Sequence, residues 1–274
     1  TLPADQRRQI AADFRDDVWA EQNSIAGPIQ SYNLTWANAV RGEKGGAFGS
    51  VIGLTYRNSK LLYNATKELF ERGAGQAFFS YDDQQNKYST SVGALANFAW
   101  TKKNHKIALK NLFNQLYEDN YYNRQGPNTE NLQDIYLRSS VVNQRSLLSS
   151  QLEGTHTFWR DVKATWNINY SYNSKEQPDL RVLTYGRSLG SNDPFSANLR
   201  GNNTNRFFSS LTDQAAGYNV SLAYSFNIGK QKQTIKAGGN ALVRIRDFRA
   251  IILGYSEPGD ANLNFLPYDR IFAG

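Results

Sequence analysis

The sequence predicts an all-β protein: an antiparallel up-and-down transmembrane β-barrel, present in part, with about eight strands of a larger barrel and long connections at one end. Three observations predict it. The stretch VKATWNINYSYN at positions 162–173 alternates without a slip. Val162, Ala164, Trp166, Ile168, Tyr170 and Tyr172 fall on one side, and Lys163, Thr165, Asn167, Asn169, Ser171 and Asn173 on the other. Successive strand side chains point to opposite faces, so this is a strand with one apolar and one polar face. Further segments repeat the pattern at lengths near the roughly 9–11 residues a tilted strand needs to cross hydrocarbon. Short and long connections also alternate along the chain, as they do in outer-membrane barrels.

Taken in order, Tyr32, Leu34 and Trp36 mark the first segment, and Phe48, Ile52, Leu54 and Tyr56 the second, interrupted by Ser50. The third runs from Tyr88 to Trp100 through Val92, Ala94, Ala96 and Phe98. Ile107, Leu109, Phe113 and Tyr117 form the fourth, in which Asn111 breaks the apolar side and reads as a bulge. Leu148, Leu152 and Phe158 mark a weaker fifth, and positions 162–173 the sixth. Tyr218, Val220, Leu222, Tyr224 and Phe226 make the seventh, and Ile235, Ala237, Ala241, Val243 and Ile245 the eighth. Aromatics toward segment ends (Tyr32, Trp100, Phe158, Tyr170, Tyr172, Tyr218) fit interfacial girdles.

Positions 41–46, 101–104, 159–161 and 229–233 read as hairpin links, being polar, charged or glycine-containing. The intervening connections, 58–85, 118–142, 174–215 and from 249 onward, read as long extracellular loops. Two loop helices are expected, one opening at Thr1 and Pro3 with Ile10, Phe14 and Val18 on one face, the other over positions 61–73. The reading makes residues 1–274 part of one barrel domain, with an odd number of strands before Thr1. Mean hydropathy is −0.61, and no window is apolar enough for a membrane helix. Strands escape that test because lumen-facing residues dilute lipid-facing ones. The chain has no cysteine, which removes disulfides and thiolate metal sites. Its net charge of +7 suits an anionic surface such as outer-membrane lipid or lipopolysaccharide. The basic residues are scattered without nucleic-acid-binding spacing, so no nucleic-acid partner is expected.

The wording of four stretches adds to their period. VIGLTYRNS (51–59), ALKNLFNQ (108–115), SSQLEGTH (149–156) and EQPDLRVLTY (176–185) resemble the barrel region of TonB-dependent outer-membrane receptors of the Bacteroidetes type. The likeness covers roughly residues 1–190; beyond that, the period alone speaks. In that family a carboxypeptidase-regulatory-like domain and a plug precede a barrel of about 22 strands. No TonB box, plug or terminal aromatic signal lies in these residues. The resemblance implies energised uptake of a bulky nutrient (siderophore, glycan or peptide), with TonB acting through the plug and a surface lipoprotein as a lid. A passive porin or structural barrel subunit is the alternative, and a soluble carbohydrate-binding β-domain the third.

On this reading Trp166, Ile168, Tyr170, Val220, Leu222, Tyr224, Val243 and Ile245 face lipid. Asn167, Asn169, Ser171, Asn219, Ser221, Asn227 and Asn240 face the lumen, with Lys110 and Glu153 meeting across neighbouring strands. Tyr121, Tyr122, Phe207 and Phe208 are candidate ligand contacts in the long loops, where aromatic faces stack on sugars or chelates. Asp82 and Asp83 are weak calcium candidates, as is Asp260 in DANLN, which lacks the glycine and the glutamate of a calcium loop. GRSLG at 186–190 matches the nucleophile-elbow pattern but lies in a polar stretch with only His105 and His156 to serve it. Neither catalysis nor a cofactor is expected.

Overall fold

The computed structural model describes residues 25–271 except 44, 71–72, 74, 76, 160, 200–203 and 256–259, together with positions 3, 5, 6 and 9. Nine strands form one antiparallel sheet: β1 (Gln30–Arg41), β2 (Gly46–Phe70), β3 (Ala77–Lys102), β4 (His105–Asn128), β5 (Gln133–Phe158), β6 (Val162–Ser188), β7 (Ser196–Ala197), β8 (Asn205–Ile228) and β9 (Gln231–Gly254). Their order is β1-β2-β3-β4-β5-β6-β8-β9, with β7 pairing only the far end of β6. Each long strand therefore pairs with its chain neighbour, up and down. Among the described residues, β1 and β9 are the open edges.

The register sorts every residue onto a face, because directly opposed residues of an antiparallel pair share one. Trp166 lies opposite Gly154 and Val220, and Ile168 opposite Leu152 and Tyr218. Ala216 meets Val243, Gln214 meets Ile245, and Tyr224 meets Ile235. The same face runs on through Leu109 and Phe98 to Ile52 and Trp36. All eight residues expected to face lipid lie on it. Ile168 is 57 % and Val220 50 % exposed, and among the described residues no second layer covers this band.

The strands are more than twice as long as the alternation indicates, from 24 to 27 residues in most cases. Most of the stretches expected as loops at 58–85, 118–142 and 174–215 are strand: β2 continues to Phe70, β3 begins at Ala77, and β4 joins β5 after only Thr129–Leu132. The helix expected over 61–73 is accordingly strand as far as Phe70. Beyond the apolar band apolar residues fall on either face, as Leu61 and Leu62 or Ile251 and Ile252 do, so no sustained period reveals that the strand continues. Of the expected opening helix, Asp5, Gln6 and Gln9 are helical, while Ile10, Phe14 and Val18 lie outside the described residues.

Asn111 makes no bulge. Its pairing with Ala96 and Ser150 is regular, and its side chain donates to the Ala96 carbonyl at 3.0 Å and accepts from Ser150 Oγ at 2.7 Å. The register instead slips between Gln177 and Leu180, around Pro178. Proline cannot donate to the ladder, and such residues sit at bulges. The extra residue moves Leu183 and Tyr185 onto the face carrying Tyr136. There the polypeptide builds its one buried apolar cluster among the described residues, from Leu183, Tyr185, Ala197, Leu199 and Tyr268. Tyr185 Oη donates to the Leu266 carbonyl at 2.9 Å, tying down the 3-10 turn Ala261–Phe265. Burial pushes the Tyr185 hydroxyl well above the usual phenol range.

Candidate functional site

The polar face is built by the residues between those of the apolar band. Asn167 stands opposite Asn219, which stands opposite Asn240; Thr165 is opposite Ser221, with their hydroxyls 2.6 Å apart. Asn169, Ser171 and Asn227 fall on the same face by parity. Lys110 Nζ lies 2.8 Å from Glu153 Oε1, and Gln151 Nε2 donates to Glu153 Oε2 at 2.9 Å. The two charges occupy adjacent strands at matched heights above their turns, so the pairing follows from strand geometry. Small residues beside them, Ala37, Ala39, Gly49, Ala99 and Ala108, leave a shallow depression on this face.

Further from the short turns the polar face carries stronger charge. Lys87 Nζ meets Glu118 Oε1 at 2.6 Å, and Arg145 approaches the same carboxylate at 3.9 Å. Asp213 is buried and receives Arg244 Nε at 2.7 Å and Arg246 Nη2 at 2.6 Å, one carboxylate shared between two guanidinium groups. In the β3–β4 extension, Arg124 Nε and Nη2 clamp Asp83 at 2.7 and 2.8 Å, while Tyr122 Oη donates to Asp83 Oδ2 at 2.5 Å. The Arg124 guanidinium also stacks 4.6 Å from the Tyr81 ring and 5.2 Å from that of Tyr122. Burial and the bond to Asp83 push the Tyr122 hydroxyl up to about 12. Burial raises the Asp83 carboxyl, but Arg124 and Tyr122 outweigh it and hold that carboxyl below its ordinary value.

Four expectations change here. Tyr121 and Tyr122 are on β4, and Phe207 and Phe208 on β8, so none of them is a loop residue. Consecutive strand residues point oppositely: Tyr122 and Phe207 join the polar face, whereas Tyr121 and Phe208 join the apolar-band side. For the same reason Asp82 and Asp83 cannot share a cation. Asp83 is held by Arg124, and Asp82 accepts from Thr66 Oγ1 at 3.3 Å on the other face. Asp260 caps the 3-10 turn by accepting from the Asn262 amide at 2.9 Å. Among the described residues no group of three or more metal-ligating side chains occurs. In the GRSLG stretch Ser188 ends β6 and is followed by a turn, while both histidines sit at the opposite end of the sheet. Tyr81, Arg124 and Asp213 were missed because they lie in stretches without clean alternation, and Arg244 and Arg246 because alternation puts them on the polar face without showing that Asp213 stands opposite.

Each end of the apolar band has its own aromatic set. Away from the short turns, Tyr88 Oη accepts from Asn58 Nδ2 at 3.0 Å and from Thr90 Oγ1 at 2.8 Å, and its ring meets Tyr117 edge-on at 6.0 Å. At the short turns, Trp100, His105, His156, Phe158 and Trp166 share the face. From Trp100 to Tyr88 is about 40 Å along β3, or about 28 Å across at a tilt near 45°. That matches a hydrocarbon layer. No protein-family model matches the chain, and no curated protein matches it.

Proposed function

We propose that this chain is a stretch of wall from an outer-membrane receptor barrel that imports a bulky nutrient of the siderophore, glycan or peptide class, energised through TonB. The observation carrying the barrel part is the abrupt end of the apolar band on strands that themselves continue. The hydrogen-bonded ladder of β2 and β3 runs from Gly46–Lys102 to Phe70–Ala77, yet large apolar side chains alternate only on its half nearest the short turns. A soluble sheet packed on a core would bury that half. Here it lies open, as a surface solvated by lipid does.

The uptake part is supported by the four stretches that resemble TonB-dependent receptors. The strand extensions then stand above the membrane as a vestibule wall, with the half-buried Tyr122 and Arg124 offering aromatic and cationic surface to a passing ligand. The partners on this reading are lipid and lipopolysaccharide around the band, TonB through a plug, and a surface lipoprotein over the extended ends. A passive porin differs only in what fills the lumen. Planar-bilayer recording of the complete barrel separates the two. A plugged receptor stays silent until denaturant withdraws the plug; steady conductance from the untreated protein would replace this reading with the porin.

A further inference from the structure

At the short-turn end of the apolar face, hydrogen bonds run from Trp166 to His105. Trp166 Nε1 lies 3.0 Å from His156 Nε2, and His156 Nδ1 lies 3.0 Å from His105 Nδ1. An indole N–H can only donate. His156 Nε2 must therefore accept, which places the proton of neutral His156 on Nδ1. That proton is donated to His105 Nδ1, and the proton of neutral His105 is left on Nε2. The order of donors thus fixes both tautomers and leaves His105 Nε2–H without a partner among the described residues.

Lys102 stands directly opposite His105 across the two-residue turn Lys103–Asn104, so its side chain shares this face. Lys102 has no ion pair among the described residues. Trp100 lies two residues before it on the same face, and the Phe158 ring meets His105 edge-on at 5.8 Å. The surrounding turns and strand ends are basic: Arg41, Lys103, Lys230 and Lys232 stand against Glu43 and Asp161. A cation and a neutral N–H donor, flanked by two rings where the apolar band stops, match a phosphodiester with acyl chains beneath it. Metal chelation fits poorly, because the two Nδ1 atoms are bonded to each other and no third ligand stands by.

We propose that Lys102 and His105 form a headgroup site for an anionic phospholipid in the leaflet next to the short turns. The proposal rests on the barrel reading and adds a specific lipid contact to it. The test uses the complete barrel, purified and delipidated in detergent, with tryptophan fluorescence followed while short-chain phosphatidylglycerol or inorganic phosphate is added. Saturable phosphatidylglycerol binding is expected, weakened about tenfold by Lys102→Ala and by His105→Ala. Lys163→Ala, on the opposite face at the same end, leaves it unchanged. Unchanged heat-dependent gel mobility establishes that each variant is folded. Equal binding by both alanine variants overturns the proposal, and so does inorganic phosphate binding as tightly as the lipid. A protein that stays soluble without detergent would overturn the barrel reading itself, a separate outcome seen before any titration.

Discussion

At the residue scale, the positions that matter most are those where two strands leave room for only one side chain. Gly154 is one of them. A Cβ built on it would lie 2.3 Å from the Trp166 ring, which covers the glycine from the neighbouring strand. Gly239 also sits on the apolar-band face, but a Cβ there meets nothing within 4 Å. Gly154→Ala is expected to cost about 1–3 kcal/mol through displacement of the indole, and Gly239→Ala to stay within about 0.5 kcal/mol. Urea unfolding of the complete barrel in detergent measures both. The Lys110–Glu153 pair was legible in the sequence because both residues sit in alternating segments at similar distances from their turns. Asp83 and Arg124 were not, since no periodicity places either one on a strand.

At the element scale, the sequence revealed the half of each strand that carries one apolar and one polar face and hid the half where the two faces do not differ so regularly. Alternation records a difference between two environments, and it vanishes where the environments match. The β3–β4 extension is therefore held by polar contacts, chiefly the Asp83–Arg124–Tyr122 cluster. Its pH dependence follows from the lowered Asp83 carboxyl. The stabilisation is fully present above the unfolded value, near 3.8, and is lost as pH falls through the lower folded value. Asp83→Asn removes it at every pH. The difference in unfolding midpoint between wild type and Asp83→Asn should be constant from pH 7 to about 5 and shrink below about 4. A difference that grows on acidification contradicts the assignment.

At the scale of the whole molecule, the sheet ends in two open edges among the described residues, and the β9 backbone groups that point away from β8 have no partner among them. Such groups are not tolerated in hydrocarbon, so on the barrel reading both edges pair with further strands of the same wall. Eight long strands, each paired with its neighbour in sequence, are then an arc of that wall. The strand order was legible because hairpin turns dictate it. The height of the wall was not, because nothing in a polar strand marks where it ends.

The central claim is that the exposed apolar band touches lipid while the opposite face touches water, and only next to the short turns. The chain has no cysteine, so single cysteines can be placed at will. The decisive measurement is a cysteine and spin-label scan along β6 from Val162 to Arg187 in reconstituted barrels, comparing collision with oxygen and with a water-soluble nickel chelate. The account predicts a period of two from Val162 to Tyr172, with oxygen favoured at Trp166 and Ile168 and the chelate at Asn167 and Asn169, fading to aqueous access by Glu176. Aqueous access at Ile168 equal to that at Asn167, or oxygen favoured over the chelate at Ser174 and Glu176, would contradict it.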